Sequence, residues 1–305
     1  MSEYRVGLIG FDDLQSSLLQ ELERSPYFKV VAAAEIPSGV RGRIPSGVKM
    51  FRSAGELIEK ANLDVVSICQ VVQERYSSAI IAAEKGVNIV YEPPIHEEPR
   101  KVEEVIRKFE GSKAFAVPID ELLFDNVIQQ LVQSVLDNAV GLPIVAYCRR
   151  FNRKRSKPEK LIYLAAPFIT LSRRLMNSEP VEVYASLKNE EAGLVNVNFE
   201  NKTSAVICLG YRKLETYPID DVTIDVIGTD GVLTVKPDNA ALRVYSEVKQ
   251  FKEYWEEPGV SRLVKHLASR LRGGEEIVSI RDDLAVAKVI SASLQSNSKK
   301  ECVSI

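Results

Sequence analysis

Two hydrophobic periods divide the chain near residue 118. In the first part, short apolar runs without clean alternation take turns with segments of helical spacing. Residues 4–10 (YRVGLIG), 28–35 (FKVVAAAE), 63–71 (LDVVSICQV), 87–92 (VNIVYE) and 113–117 (KAFAV) read as strands buried on both faces. Between them, residues 14–25, 53–61, 76–86 and 99–110 place apolar side chains at helical intervals, as in Leu14, Leu18, Leu19 and Leu22. Such alternation predicts a doubly wound parallel sheet covered by helices.

Beyond residue 118 the pattern changes. One long helix is expected over 119–138, followed by strand-like segments that begin at 143, 181, 193, 203, 222, 231 and 240. Several are joined by tight polar turns, including Glu200-Asn201-Lys202 and Thr229-Asp230-Gly231, which implies antiparallel pairing. Helices are expected near 159–176, 259–272 and 281–295. The expectation is an α/β chain: a parallel-sheet domain over 1–118, and an α+β domain over 119–305 with a mostly antiparallel open sheet. The near-repeat IPSGV, at 36–40 and 44–48, reads as a loop.

A length of 305 residues suits two domains. The net charge of −2 argues against a general polyanion binder, so any basic function is local. Cys69, Cys148, Cys208 and Cys302 form no C-x-x-C pair, which speaks against a zinc ribbon or redox dithiol; no metal is expected. No run reaches the roughly 18 apolar residues of a membrane span. The first residues read as a strand rather than a signal peptide, so a cytoplasmic protein is expected.

The order of these segments resembles the Gfo/Idh/MocA oxidoreductases over nearly the whole chain. The likeness is carried by RVGLIG, the acidic end of VVAAAE, DVVSIC, AIIAAEKGVNIVYEPP, YLAAPFITLSRRL followed by EPVEVYASL, and the C-terminal SRLVKHLASRLRGGEEIVSIRDDLAVAKVISAS. It implies an N-terminal Rossmann domain for NAD or NADP. It also implies a C-terminal domain whose open sheet pairs two subunits. More distantly, the chain is like the biliverdin reductases, which also depart from the family's proton-transfer residues but keep the glycine-rich turn.

The departures from that pattern are concentrated where the family does its chemistry. Of its G-x-G-x-x-G turn, Gly10 remains; Asp12 and Gln15 occupy the other two glycine positions. A carboxylate about 4 Å from a phosphate charge costs roughly 1 to 4 kcal/mol. As an alternative, Asp12 caps the following helix and Gln15 completes a capping box. Glu35 matches the acid that meets an adenosine ribose and equally suits a solvated strand end. Arg41 and Arg43, just beyond, suit a 2′-phosphate or a polar loop. The T-P-N-type turn and its histidine are replaced by Gln70, Val71, Val72 and Arg75. The E-K-P signature reads Glu92, Pro93, Pro94, so its lysine is gone. The second domain's acid–histidine positions read Tyr163, Pro167 and Thr170. Candidate cofactor contacts are therefore Gly10, Asp12, Glu35, Gln70 and Glu92. Candidate catalytic groups are Glu92, Tyr163 and His96, with Tyr91 beside them; Tyr163 is a poor base with an ordinary phenol pKa near 10. His266 is expected on a surface helix.

Residues 149–160 gather Arg149, Arg150, Arg153, Lys154, Arg155, Lys157 and Lys160 against Glu159 alone. Such a run suits an anionic ligand or a solvated surface; one aromatic, Phe151, gives little support to nucleic-acid stacking. Taken together, the departures lead to the expectation of an oxidoreductase-fold protein with no bound cofactor, working as a sensor, regulatory protein or partner subunit of an active relative. The expected assembly is a homodimer. The alternative is an NAD(P)-dependent oxidoreductase with altered residues acting on a sugar, a nucleotide sugar or a related small molecule.

Overall fold

The computed structural model describes residues 3–153, 160–188, 191–212, 220–237, 241–246, 250–254 and 259–305. In chain order these form β1 (Tyr4–Ile9), α1 (Asp13–Arg24), β2 (Phe28–Ala34), β3 (Lys49–Phe51), α2 (Ala54–Lys60), β4 (Val65–Ile68), α3 (Val72–Lys85), β5 (Asn88–Tyr91), α4 (Pro99–Glu110) and β6 (Ala116–Pro118). They continue with α5 (Glu121–Phe124), α6 (Asn126–Leu136), β7 (Pro143–Arg153), α7 (Ala166–Met176), β8 (Pro180–Lys188), β9 (Ala192–Phe199), β10 (Ser204–Arg212), β11 (Asp220–Gly228) and β12 (Gly231–Lys236). The last are β13 (Ala241–Ser246), β14 (Gln250–Tyr254), α8 (Gly259–Arg270), α9 (Ile280–Lys299) and β15 (Val303–Ser304).

The first compact unit comprises the chain up to Asp120 together with Val260–Leu284. Its six strands are all parallel, in the order β3-β2-β1-β4-β5-β6. Helices cover strands on both faces of such a sheet, and every residue of β4 is buried here. The helices dock through apolar stripes: α4 buries Val102, Val105, Ile106 and Phe109, each contributing about 1.5–3 kcal/mol through removal from water. Gly86 ends α3 in the left-handed region, φ 68°.

The return of 260–284 to this unit differs from the expected boundary, which assigned everything after 118 to the second domain. The cause is the apolar stripe of α8, where Leu263, Leu267 and Ala268 are fully buried. Ser261 donates to Glu21 at 2.6 Å, and Arg270 stacks over Phe115. His266 lies on that same stripe and is buried, not on the surface.

The second unit comprises Glu121–Gly259 and Ala285–Ile305. Its nine strands run in the order β14-β13-β12-β11-β7-β10-β9-β8-β15. All neighbours are antiparallel except β7 and β10, which the intervening α7 connection allows to run parallel. One face buries Ala146, Cys148, Val195, Val197, Ile207 and Val226. The opposite face carries Tyr147, Tyr184, Leu194, Ile227, Val232 and Tyr245, of which Tyr245 is 50% exposed and Ile227 41%. The helix expected over 119–138 is broken at Asp125, whose carboxylate accepts from the Val127 amide and starts α6 afresh. The loop expected at 36–48 contains a 3-10 turn, Ser38–Arg43.

Candidate functional site

In an open parallel sheet, ligands collect beyond the carboxyl ends of the strands where the strand order reverses. Here the reversal lies between β1 and β4. Gly10, Glu35, Cys69 and Glu92 directly follow β1, β2, β4 and β5, so the candidate cofactor contacts Gly10, Asp12, Glu35, Gln70 and Glu92 share one edge of the first unit.

Gly10 has φ +75°, and a Cβ there would lie 2.6 Å from the Cys69 carbonyl oxygen. The close approach of the β1 and β4 ends therefore requires glycine. Asp12 caps α1, accepting from the Gln15 amide at 2.8 Å. The capping box is only half formed. The Gln15 side chain turns inward, where its carbonyl oxygen accepts from Ser67 Oγ at 2.6 Å and Cys69 Sγ at 3.0 Å. It is fully buried, and its Nε2 finds no partner among the described residues.

A continuous strap of polar contacts crosses the strand ends from β2 to β5. Glu35, itself at φ 58°, accepts from the Ala54 amide at the start of α2 (2.8 Å) and from Gln70 Nε2 (2.6 Å). Ser78 Oγ donates to Gln70 Oε1 at 2.6 Å. Arg75 Nε donates to the Gln70 carbonyl at 2.8 Å. Arg75 Nη1 donates to the carbonyls of Glu92 (2.8 Å) and Pro94 (3.0 Å), and Nη2 forms an ion pair with the Glu92 carboxylate. The Arg75 side chain is 0% exposed and that of Glu92 7%. A buried pair of this kind survives because further hydrogen bonds satisfy the guanidinium.

The turn after β5 begins with a cis Pro93-Pro94 bond. Its Ile95 amide donates to Asp283 Oδ2 at 2.7 Å, from the first turn of α9. Burial pushes the Asp283 carboxyl up to about 7, against the opposing pull of the Ile95 amide, the Tyr91 hydroxyl and Arg75. The Tyr91 hydroxyl approaches Asp283 without completing a hydrogen bond of normal geometry, and burial raises its own pKa well above the usual value. His96 accepts from the Glu98 amide through Nδ1 at 3.0 Å. Burial, reinforced by Lys101, holds its pKa below the ordinary 6.5. His96 is thus a neutral acceptor that shapes its own turn. For His266, burial and then Arg270 lower the pKa to about 4.

The remaining candidates belong to the second unit. Tyr163 is buried on a 3-10 turn, Leu161–Ala165. Thr170 bonds back to the Ala166 carbonyl at 3.4 Å. Arg149 donates to both oxygens of Asp221 at 3.2 Å and to Thr223 at 3.1 Å; Arg150 pairs with Asp220. These two cations already hold carboxylates across the β7–β11 ladder. Lys154, Arg155 and Lys157 lie outside the described residues, as does the side chain of Arg153.

Two contributors were not recognised from sequence. Arg75 stands in phase with Val72, Ala79, Ala82 and Ala83 on the buried face of α3, so its helical position signals burial. Asp283 follows Asp282, which already closes the α9 start by accepting from the Ser279 amide at 3.0 Å; the second acid is left over from capping.

Comparison with known proteins places this geometry in a wider setting. No protein-family model matches the chain, and no curated protein matches it significantly. Solved structures do. An oxidoreductase domain protein from Kribbella flavida superposes with a TM-score of 0.86 at 15% identity, covering 100% of both chains. Myo-inositol 2-dehydrogenase from Lactobacillus plantarum gives 0.84 at 16% identity, again covering 100% of both. An oxidoreductase from Agrobacterium radiobacter in complex with NAD+, L-tartaric acid and magnesium gives 0.84 at 15% identity, covering 99% of this chain and 98% of that one. This chain therefore shares the fold of these solved oxidoreductases over its whole length.

Proposed function

We propose that this protein uses an oxidoreductase fold for a binding or regulatory task and does not carry out dinucleotide-dependent hydride transfer. The observation that carries this reading is the strap Glu35–Gln70–Arg75–Glu92, in which each polar group already has a partner from the protein. Two further positions agree with it. The Asp12 carboxylate holds an amide at the α1 start, the kind of donor a pyrophosphate takes. Gln15 places a buried amide where close backbone approach would need glycine. The residues present do not fit NAD or NADP, and no hydride or proton step is assigned to them. Sharing a fold with an NAD+ complex does not transfer its chemistry.

The same reading takes the molecule to be a homodimer through the outer face of the second unit's sheet, or a hetero-oligomer with an active relative through that face. It is supported by the apolar and aromatic side chains which that face leaves exposed. Calorimetric titration with NAD, NADH, NADP and NADPH at low salt tests the first part. The expected result is no saturable binding tighter than about 1 mM. Saturable binding in the micromolar range overturns the reading and opens a substrate screen for an altered oxidoreductase acting on sugars or nucleotide sugars.

A further inference from the structure

We propose that Asp283 is a proton-operated latch on the 92–96 turn: neutral, its carboxyl holds the turn through the Ile95 amide; charged, it lets the turn open. This goes beyond the reading above and does not depend on whether a dinucleotide binds.

The geometry is that of an acid with too few partners. Oδ2 receives the Ile95 amide at 2.7 Å, while Oδ1 is buried and finds no hydrogen bond among the described residues. A carboxylate has roughly four acceptor sites to fill, so one amide leaves it poorly solvated. A neutral carboxyl needs less; the adjacent Tyr91 hydroxyl is likewise buried without completing a hydrogen bond, and what pull it has favours the charged form. Ionisation strengthens the single amide bond but calls for water at Oδ1. Water enters only if the turn moves away from the start of α9.

The charged and titratable neighbours divide in sign. From α3, Arg75 favours the charged form, and from α9 itself Asp282 opposes it. From β5, Tyr91 faces it, with Asp282 and Glu276 also acting on the Tyr91 hydroxyl. The Glu92 carboxylate is paired with Arg75. Burial outweighs the favourable neighbours and places the midpoint at about 7. The sign follows from linkage. The folded state keeps its proton between about pH 4 and 7, where the unfolded chain has lost it. The stability contributed by Asp283 therefore falls as pH rises through that window and is gone above it. His96, in the same turn, has its pKa lowered below 6.5, and its charged neighbours are Lys101, Glu98 and Glu97; its titration falls on the acid side.

Hydrogen exchange of peptides covering 93–97, corrected for the intrinsic pH dependence of exchange, reads the latch directly. Between pH 6 and pH 8, wild-type protection is expected to fall about tenfold, the slope of one ionisation centred near 7. In Asp283→Asn the side-chain carbonyl still accepts from Ile95 and the amide replaces the acid proton, so protection stays high and flat. Flat protection in the wild type overturns the proposal. So does an equal slope in Asp283→Asn, which would belong to another group. Should that variant fail to fold, Tyr91→Phe decides: removing the hydroxyl moves the wild-type midpoint to higher pH, and an unmoved midpoint sinks the latch.

Discussion

The carboxyl-end crevice of the first unit and the outer sheet face of the second have opposite states of satisfaction. In the crevice, Glu35, Gln70, Arg75 and Glu92 spend their hydrogen-bonding capacity on one another and on backbone carbonyls. On the outer face, Tyr184, Leu194, Ile227 and Tyr245 remain in contact with solvent. Polar groups that are internally paired lose little by having no ligand, whereas exposed apolar side chains gain by being covered. The contrast teaches that polar groups at the strand-end edge are met by the protein's own side chains, whereas apolar side chains on the outer sheet face are still open to solvent.

The strongest way to break the contrast is to cut the strap. Arg75→Met leaves the Glu92 carboxylate buried without its cation and is expected to cost about 3–5 kcal/mol in urea unfolding. Combining it with Glu92→Gln removes the stranded charge, so the double variant recovers part of that loss. A loss under about 1 kcal/mol in the single variant would mean that the strap contributes nothing to closing the crevice. Next in size, Asp12→Ala removes the α1 cap and is expected to cost about 1 kcal/mol, read from the same unfolding curves. On the other side of the contrast, Leu194→Glu places a charge on the outer face. Light scattering is expected to show a dimer in the wild type and a shift towards monomer in the variant, with stability changed by no more than about 0.5 kcal/mol. A wild-type monomer removes the pairing proposal.

The smallest effect is read from the four cysteines. Cys69 is buried beside Gln15, and Cys148 is buried with its thiol pushed up to about 12, chiefly by burial. Cys208 is half-exposed on the outer face, and Cys302 is exposed. Thiol titration of the folded protein should modify Cys302 first, then Cys208, and leave the other two untouched. If two copies cover the face, Cys208 reacts faster in Leu194→Glu than in the wild type. Equal rates in two proteins that differ in association would place the contact elsewhere.

Much of the first unit was legible because its signals are local. Strands buried on both faces give near-continuous apolar runs, as in Val65–Ile68 with Ser67 as its one polar residue, and helices such as α4 show one apolar stripe. The second sheet was legible from its turns and partial alternation. Features that depend on distant packing were not. The return of α8 is set by contacts with Glu21 and Phe115, more than a hundred residues away in sequence. The short strand β3 has only three residues, none of them buried, and so no apolar pattern. At the site, the capping role of Asp12 was legible, because it follows from a short acid's place before a helix. The strap was not readable, because it joins side chains 17 to 35 residues apart through Gln70 and Arg75. Glu35 suited a ribose contact and a solvated strand end equally well in sequence; its two oxygens accept from Ala54 and Gln70, neither of which the local pattern announces.

The Cβ that Gly10 lacks would strike the Cys69 carbonyl oxygen, and this separates two histories that a glycine at that position would otherwise merge. A strand crossing that tolerates no side chain will hold glycine through any change of trade, whether or not a phosphate ever visits. The glycine after β1 is therefore a demand of the two strand ends themselves, independent of any ligand.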